Sequence, residues 1–303
     1  MKRDRQAGLG AEDWWLGACA LALVSASGAM IAVNAVKYHF TGIAYFPRFA
    51  AGTIPPLLEL VAFAAYARGL SARTAFAVRN YASAILLWAA ISVLTTGIQF
   101  TPCAAVDEHL VSWDARLHIH VTDLMAWTWS HPWFSPVMRW SYPGLNAELP
   151  LVPLLAALSG DRRRMRVFLY AMAYSFFVGG LFYYFFPSSG PASVMQSPYF
   201  TWEQLLTGQK FQAVHALREV TTVWGGMVAF PSFHAVWAIL LTYAAASRPR
   251  LFPAFVVLNG LVIISTVMLG WHFLVDVIAS AALAGASLWA GERTHRWLCA
   301  FDH

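Results

Sequence analysis

Long apolar runs, separated by short clusters of charged residues, are the feature that most constrains the fold of this chain. A membrane span needs roughly 20 mainly apolar residues, and the sequence offers eight such candidates. They cover about residues 14–36, 51–69, 80–99, 136–159, 167–187, 231–247, 252–270 and 273–290. The run at 136–159 is the weakest, because it contains Arg139, Glu148 and prolines. Charged residues make up 12% of the chain, against about 25% in soluble domains, which indicates an integral membrane protein.

The positions of the basic residues predict the orientation of these spans. With the N-terminus inside and eight crossings, most of the 20 Lys and Arg residues fall on inside segments, as the positive-inside rule requires. The net charge of +5 is therefore a topology signal, and we expect no nucleic-acid partner. Both termini are predicted to lie inside. The first run lacks a small-residue cleavage site, so we interpret it as a retained span.

The chain shows no internal repeat and no low-complexity linker, so we expect one membrane domain. Within it, a two-span N-terminal region at 1–79 precedes the region 80–303, which holds the motifs described below. The three cysteines, Cys19, Cys103 and Cys299, lie far apart and have no metal-type or disulfide-framework spacing.

The predicted outside loop at about 100–135 has the pattern of an amphipathic helix at the membrane interface. Its apolar residues recur at three- and four-residue steps; they are Leu110, Trp113, Leu117, Val121, Leu124 and Thr128. Packing at the interface is the favoured role, and direct contact with a substrate is the alternative. Asp114 and His118 share one helical face, whereas His120 and Asp123 share another, which disfavours a metal site there.

Two histidines lie at the predicted outer ends of spans. His234 follows Pro231-Ser232-Phe233, and His272 is followed four residues later by Asp276. Ionisable residues within spans are costly and are usually functional. On a helix, the Asp276 carboxylate would accept the N–H of one nitrogen of His272 and leave the other as a nucleophile. His234 would donate a proton to a leaving oxygen, while Ser232 and the helix start would bind phosphate oxygens.

Pro-Ser-x-His followed, across one hairpin of spans, by His-x-x-x-Asp resembles the type 2 phosphatidic acid phosphatase (PAP2) superfamily. The strings Phe230-Pro231-Ser232-Phe233-His234-Ala235 and Gly270-Trp271-His272-Phe273 are most similar to the branch of fungal inositol phosphorylceramide synthases and their bacterial relatives. The resemblance implies an all-α bundle with a six-helix PAP2-like catalytic core in 80–303. It also implies a phosphohistidine on His272, oriented by Asp276 and assisted by His234, with no metal or cofactor.

Two departures from the family pattern concern the phosphate ligands. The first motif, a lysine six residues before Arg-Pro, is absent, and Ser265-Thr266 stands where Ser-Arg is usual. A transferred phosphoryl group needs its charge compensated, and we expect Arg218, and after it Lys210, to do so. In the resembling branch, the segment 185–191 replaces the first motif, which adds Ser189 and Gly190 to the predicted phosphate site.

The sequence therefore predicts a lipid phosphatase or a phospholipid head-group phosphotransferase. Its partners would be the bilayer, a lipid phosphate or phospholipid and, for transfer, an alcohol acceptor; the acceptor and the oligomeric state stay open. We expect residence in a bacterial cytoplasmic membrane, with the site on the outer, periplasmic face. The alternative is a transporter or lipid-binding protein without chemistry, which the lack of paired repeats disfavours.

Overall fold

The computed structural model describes residues 10–39, 71–218 and 228–301. All regular secondary structure in these segments is helical, which confirms the predicted all-α class. The helices are α1 (Ala11–Tyr38), α2 (Ala72–Gln99), α3 (Asp107–Arg116), α4 (Val121–Ser130), α5 (Ser135–Ser159), α6 (Arg162–Phe185), α7 (Trp202–His215), α8 (Phe233–Ala245), α9 (Phe252–Met268) and α10 (Leu274–Phe301), with a 3-10 turn at Pro191–Ser193. The predicted span at 51–69 lies outside the described residues, and the predicted boundary between 79 and 80 falls within α2.

Four of the described helices are long and apolar enough to cross a membrane: α1, α2, α6 and α10. The helices α8 and α9 are also apolar, but they have only 13 and 17 residues. The 25-residue α5 corresponds to the weakest predicted span and contains Pro143, Pro150 and Pro153. The architecture is thus a membrane helix bundle in which α5 is less apolar than its long neighbours.

The helix α6 occupies the centre of the bundle, whereas α1 lies at its periphery. In the most apolar stretch of α6, 72% of the residues are buried, compared with 22% in α1. The helix α6 packs against α2, α8 and α10, and α1 packs mainly against α2. Gly291 of α10 lies so close to α6 that an added Cβ would be 2.9 Å from the carbonyl oxygen of Val167. This close approach brings α10, which follows His272, against the central helix.

A buried ion cluster joins α1, α6 and α10 at the end of the bundle where α10 ends. The carboxylate of Glu12 is 1% exposed and lies 2.6 Å from Arg162 Nη2 and 2.8 Å from His295 Nδ1. Arg166 bonds the neighbouring Asp13 at 2.6 Å. Within the described residues, Glu12, His295 and Cys299 are also close enough together to form a metal-type donor set. Because Glu12 already bonds a guanidinium and an imidazole, we interpret the group as an ion-pair cluster.

The prediction of one amphipathic helix at about 100–135 is wrong in one respect, because the segment forms two helices. The helix α3 ends at Arg116 and α4 begins at Val121. Between them, His118 has a φ of 57°, and Ile119 donates to the carbonyl of Asp114 at 3.0 Å while His118 donates to that of Ala115. These two bonds form a Schellman motif, which ends a helix and turns the chain. The apolar spacing continues through this break, so periodicity alone could not reveal it.

Candidate active site

A cavity of about 310 Å³ lies where α5, α7, the start of α8 and the connection between α9 and α10 meet. Both His234 and His272 line it, and their ring centroids are 6.2 Å apart. Its other polar lining side chains are Tyr142, Asn146, Ser189, Glu203, Gln204, Thr207 and Trp271. None of the described lining residues is a lysine or an arginine. The structure therefore brings the two predicted histidines together in one cavity.

His272 lies in the connection before α10, two residues ahead of the first helical residue, Leu274. Its Nδ1 is 2.8 Å from the backbone carbonyl oxygen of Ala229. A carbonyl can only accept a hydrogen bond, so Nδ1 carries the proton and Nε2 keeps its lone pair. The sequence could not indicate this acceptor, because a backbone carbonyl has no residue signature. The tautomer suited to a nucleophilic Nε2 is thus set by Ala229.

Asp276 lies close to His272, but its principal hydrogen bond is with the backbone. Its Oδ2 accepts the N–H of Phe273 at 2.9 Å, and the same oxygen is 3.4 Å from His272 Nδ1. This places Asp276 at the third position of α10, where it caps the helix start. The expected reason for proximity, a shared helical face, is wrong because His272 precedes the helix. The helix cap is what brings the carboxylate to the imidazole.

His234 is the second residue of α8 and is held mainly by aromatic stacking. The ring of Tyr142 lies parallel to its imidazole, with centroids 4.2 Å apart, and is also parallel to Trp271 at 4.9 Å. Ser232 is fully buried and caps α8, since its hydroxyl accepts the N–H of Ala235 at 3.4 Å. No motif indicates Tyr142, which lies in the weakest predicted span, far along the chain from either histidine motif.

Two of the predicted phosphate ligands, Ser189 and Gly190, line the cavity. Their backbone N–H groups point to the carboxylate of Asp107, at 3.2 Å and 2.9 Å, respectively. Gly190 has a φ of 88°, a conformation that favours glycine. An added Cβ there would lie 3.0 Å from the carbonyl oxygen of Trp271. This glycine therefore allows the loop to approach the connection that carries His272.

The two predicted cationic ligands lie on or after α7 and not in the cavity lining. Lys210 is buried on α7, and burial lowers the pKa of its ammonium group. Arg218 is exposed and is the last described residue before the undescribed segment 219–227.

The helix α7 forms a wall of the cavity, although its residues lie between the predicted spans at 167–187 and 231–247. A capping box at Thr201 and Gln204 starts this helix. Gln204 also donates from Nε2 to the carbonyl oxygen of Leu269 at 3.0 Å, which ties α7 to the end of α9. Glu203 and Thr207 lie on the same wall. The capping-box residues were the available signal for this helix.

The PAP2 superfamily model matches residues 108–290, more than half of the 303-residue chain. The matched region begins in α3 and extends into α10, so it contains both histidines, Asp276 and the cavity. Comparisons with curated proteins and with solved structures gave no match.

Proposed function

Because the chain belongs to the PAP2 superfamily, we propose that it is a membrane enzyme that transfers a phosphoryl group from a lipid phosphoester through His272. Membership of this superfamily indicates phosphatase or phosphotransferase activity, and the apolar helices indicate a bilayer environment. The observation that carries the finer proposal is the bond from His272 Nδ1 to the Ala229 carbonyl at 2.8 Å. It leaves Nε2 as a nucleophile in a cavity that also holds His234.

In the first step, Nε2 of His272 attacks phosphorus, and the bond from phosphorus to the leaving oxygen breaks. That oxygen takes a proton from His234, which acts as general acid, and leaves as an alcohol. In the second step, water or an acceptor alcohol attacks the phosphohistidine and gives its proton to His234. Nε2 is released as the leaving group, which restores both imidazoles. The spacing of 6.2 Å between ring centroids is compatible with both imidazoles contacting one phosphoester.

We assign Asp276 the role of stabilising the His272 imidazole as it gains positive charge in the first step. Its Oδ2 lies 3.4 Å from Nδ1, near enough for a strong electrostatic interaction in a buried site. For the phosphoryl oxygens we propose the hydroxyl of Ser189 first, since Ser189 lines the cavity. Gly190, which lines the cavity, and Ser232, which caps α8, are the next candidates. We propose Arg218 and Lys210 as cationic ligands from the sequence alone, since neither lines the cavity.

The proposed orientation places the cavity on the outer face of a bacterial cytoplasmic membrane and both termini inside. It is supported by the arginine-rich start of α6 at 162–166, which lies at the end of the bundle opposite to His272. His295, within that ion cluster, is 21 residues beyond Leu274, or roughly 30 Å along α10. We further propose that the chain falls in the branch similar to inositol phosphorylceramide synthases, on the strength of its two histidine strings.

The proposal is tested by incubating the purified protein in EDTA with phosphatidic acid and a panel of phospholipids, with and without alcohols such as inositol. Inorganic phosphate and new lipid species are followed together. Phosphate alone identifies a phosphatase, and a new phospholipid without phosphate identifies a transferase. His272→Ala is expected to abolish either product, while His109→Ala, at an exposed histidine of α3, is the matched control. Full activity in His272→Ala would contradict the phosphohistidine mechanism. No product from any substrate would contradict enzymatic function and favour transport or lipid binding.

A further inference from the structure

The helix α3 carries two buried aspartates that contact segments on either side of His272. One contacts the loop at 188–190 and the other contacts the start of α10. Asp107 is 1% exposed and Asp114 is 2% exposed, whereas their neighbour Glu108 is exposed. Seven residues are about two helical turns, so both carboxylates lie on one face of α3. Burying a carboxylate costs several kcal/mol unless hydrogen bonds compensate. Both side chains bond backbone N–H groups of segments that adjoin His272.

Asp107 lies at the beginning of a chain of hydrogen bonds that ends on the imidazole. Its Oδ1 accepts the hydroxyl of Ser188 at 2.7 Å and the N–H of Gly190 at 2.9 Å. The carbonyl oxygen of Ser188 then accepts the N–H of Ala229 at 3.1 Å. The carbonyl oxygen of Ala229, in turn, accepts the proton on His272 Nδ1 at 2.8 Å. The acceptor that sets the tautomer of His272 is therefore anchored, through Ser188, on Asp107.

Asp114 fixes the segment on the other side of His272. Its two oxygens accept the N–H groups of Leu274 and Val275 at 2.8 Å and 2.9 Å. These are the first two N–H groups of α10, which have no partner within their own helix. A negative group is also favourable at this end of the helix dipole. Asp114 thus acts as a cap supplied by another helix, two residues from the imidazole.

From these contacts we propose that Asp107 and Asp114 are positioning residues that together hold the His272 imidazole in its reactive orientation. This rests on the proposed function, in which His272 Nε2 is the nucleophile. Each aspartate meets two or more donors with both of its oxygens, whereas asparagine has only one acceptor oxygen and an NH₂ group that would face an N–H. Replacement by asparagine keeps the volume but removes half of each set of acceptors, so it isolates this role.

The experiment compares Asp107→Asn and Asp114→Asn with Glu108→Gln, which removes one acidic group from the exposed side of the same helix. Turnover of phosphatidic acid in detergent micelles gives kcat and KM. We expect kcat to fall about 10- to 100-fold in each asparagine variant, since small displacements of reacting groups cost up to roughly 10²-fold. The KM of both asparagine variants should stay close to the wild-type value. Glu108→Gln should keep both the kcat and the KM of the wild type.

A second readout does not depend on activity. In protein labelled with ¹⁵N-histidine, the His272 resonances, identified by their loss in His272→Gln, should show the Nδ1–H tautomer in the wild type. They should show a mixture of tautomers in Asp107→Asn. If that variant does not fold, Ser188→Ala interrupts the same chain of bonds while leaving both N–H bonds to Asp107, and the same shift towards mixed tautomers is expected.

The two readouts distinguish a failure of the proposed function from a failure of the positioning role. If the wild type turns over no substrate but Asp107→Asn shows the mixture of tautomers, the proposed function is overturned and the positioning role stands. Unchanged kcat and an unchanged tautomer in folded Asp107→Asn and Asp114→Asn would overturn the positioning role. Equal losses in Glu108→Gln would also overturn it, because they would reflect the charge of α3 and not its contacts.

Discussion

The phenol ring of Tyr142 lies parallel to the imidazole of His234, with ring centroids 4.2 Å apart. It is also parallel to the indole of Trp271, at 4.9 Å. Tyr142 belongs to α5, whereas the other two rings belong to α8 and to the connection before α10. A side chain from a third element thus sets the orientation of the proposed general acid relative to the segment that carries the nucleophile.

Replacing Tyr142 tests whether this stacking matters for catalysis. We expect Tyr142→Ala to lower kcat roughly 5- to 150-fold, because it removes two aromatic pairs that contribute about 0.5–1.5 kcal/mol each. Tyr142→Phe should keep most of the activity, since the hydroxyl is 3.5 Å from His234 Nδ1, at the limit of a hydrogen bond. The measurement is kcat from steady-state assays on both folded variants. An equally severe defect in Tyr142→Phe would assign the role to the hydroxyl instead.

The proposed proton donor, His234, predicts a dependence on the leaving group. His234→Ala should reduce kcat by about 10²- to 10⁴-fold for an alkyl phosphoester, which leaves as an alcohol. The loss should be much smaller for a p-nitrophenyl ester, whose leaving group needs no proton. The ratio of the two rates, compared with the ratio for His109→Ala, is the measurement. Equal losses for both esters would mean that His234 is not the acid.

The ion cluster near the C-terminal end of α10 predicts that replacing Glu12 destabilises the protein more than replacing Glu292 does. Glu12 is 1% exposed and bonds Arg162 and His295, so Glu12→Gln should lower the free energy of unfolding by about 3 kcal/mol. Glu292 pairs with Arg163 and Arg296, whose side chains are 62% and 70% exposed, and Glu292→Gln should cost at most about 1 kcal/mol.

Thermal unfolding in detergent, with activity measured separately, checks this pair of variants. Both remove one negative charge from the same end of the bundle, so a difference between them reports burial. Equal shifts in Tm would show that the cluster contributes no more than the exposed pair does.

The buried Asp107 predicts how stability depends on pH. Burial raises the pKa of its carboxyl group above the ordinary value, although the hydrogen bonds from Ser188, Ser189 and Gly190 act in the opposite direction. The native state therefore holds this proton more tightly than the unfolded chain, and the contribution to stability is lost as pH rises from about 4 through the native pKa. Asp107→Asn has no such titration.

The measurement is the difference in Tm between wild type and Asp107→Asn across a pH series from about 4 to about 7. We expect the Tm of the wild type to fall relative to that of Asp107→Asn as pH rises. Glu108→Gln controls for the loss of an acidic group from α3. A constant difference would show that folding leaves the pKa of Asp107 unchanged, and a difference that grows in favour of the wild type would show that the native state prefers the ionised form. Either result would contradict the prediction.

The helical class and the meeting of His234 with His272 were predictable, because apolar runs and short motifs are local features of the sequence. The prediction placed both histidines at one end of the bundle, and one cavity does contain both. The role of the Ala229 carbonyl could not be predicted from the sequence. Every residue has a carbonyl, and only the fold decides which one faces an imidazole. Tyr142 was missed for a similar reason, as it comes from a helix 92 residues before His234.

The helix break at His118 and the helix α7 show a different limit. Apolar periodicity runs through His118 without interruption, while a left-handed backbone at a histidine leaves no pattern. The helix α7 is not strongly amphipathic, so only its capping box distinguishes it from a loop. In both places the local signal was weak, and contacts with other elements decide the structure.

The helix α7 contributes to the cavity from a part of the chain that carries neither of the two cavity histidines. Its Glu203 and Thr207 form part of the cavity wall, whereas the histidines belong to α8 and to the connection before α10. Gln204, through its bond to Leu269, ties this helix to the end of α9. An exchange of residues 202–215 for those of a relative would therefore change part of the cavity wall and leave His234, His272 and Asp276 in place, provided that Gln204 is retained.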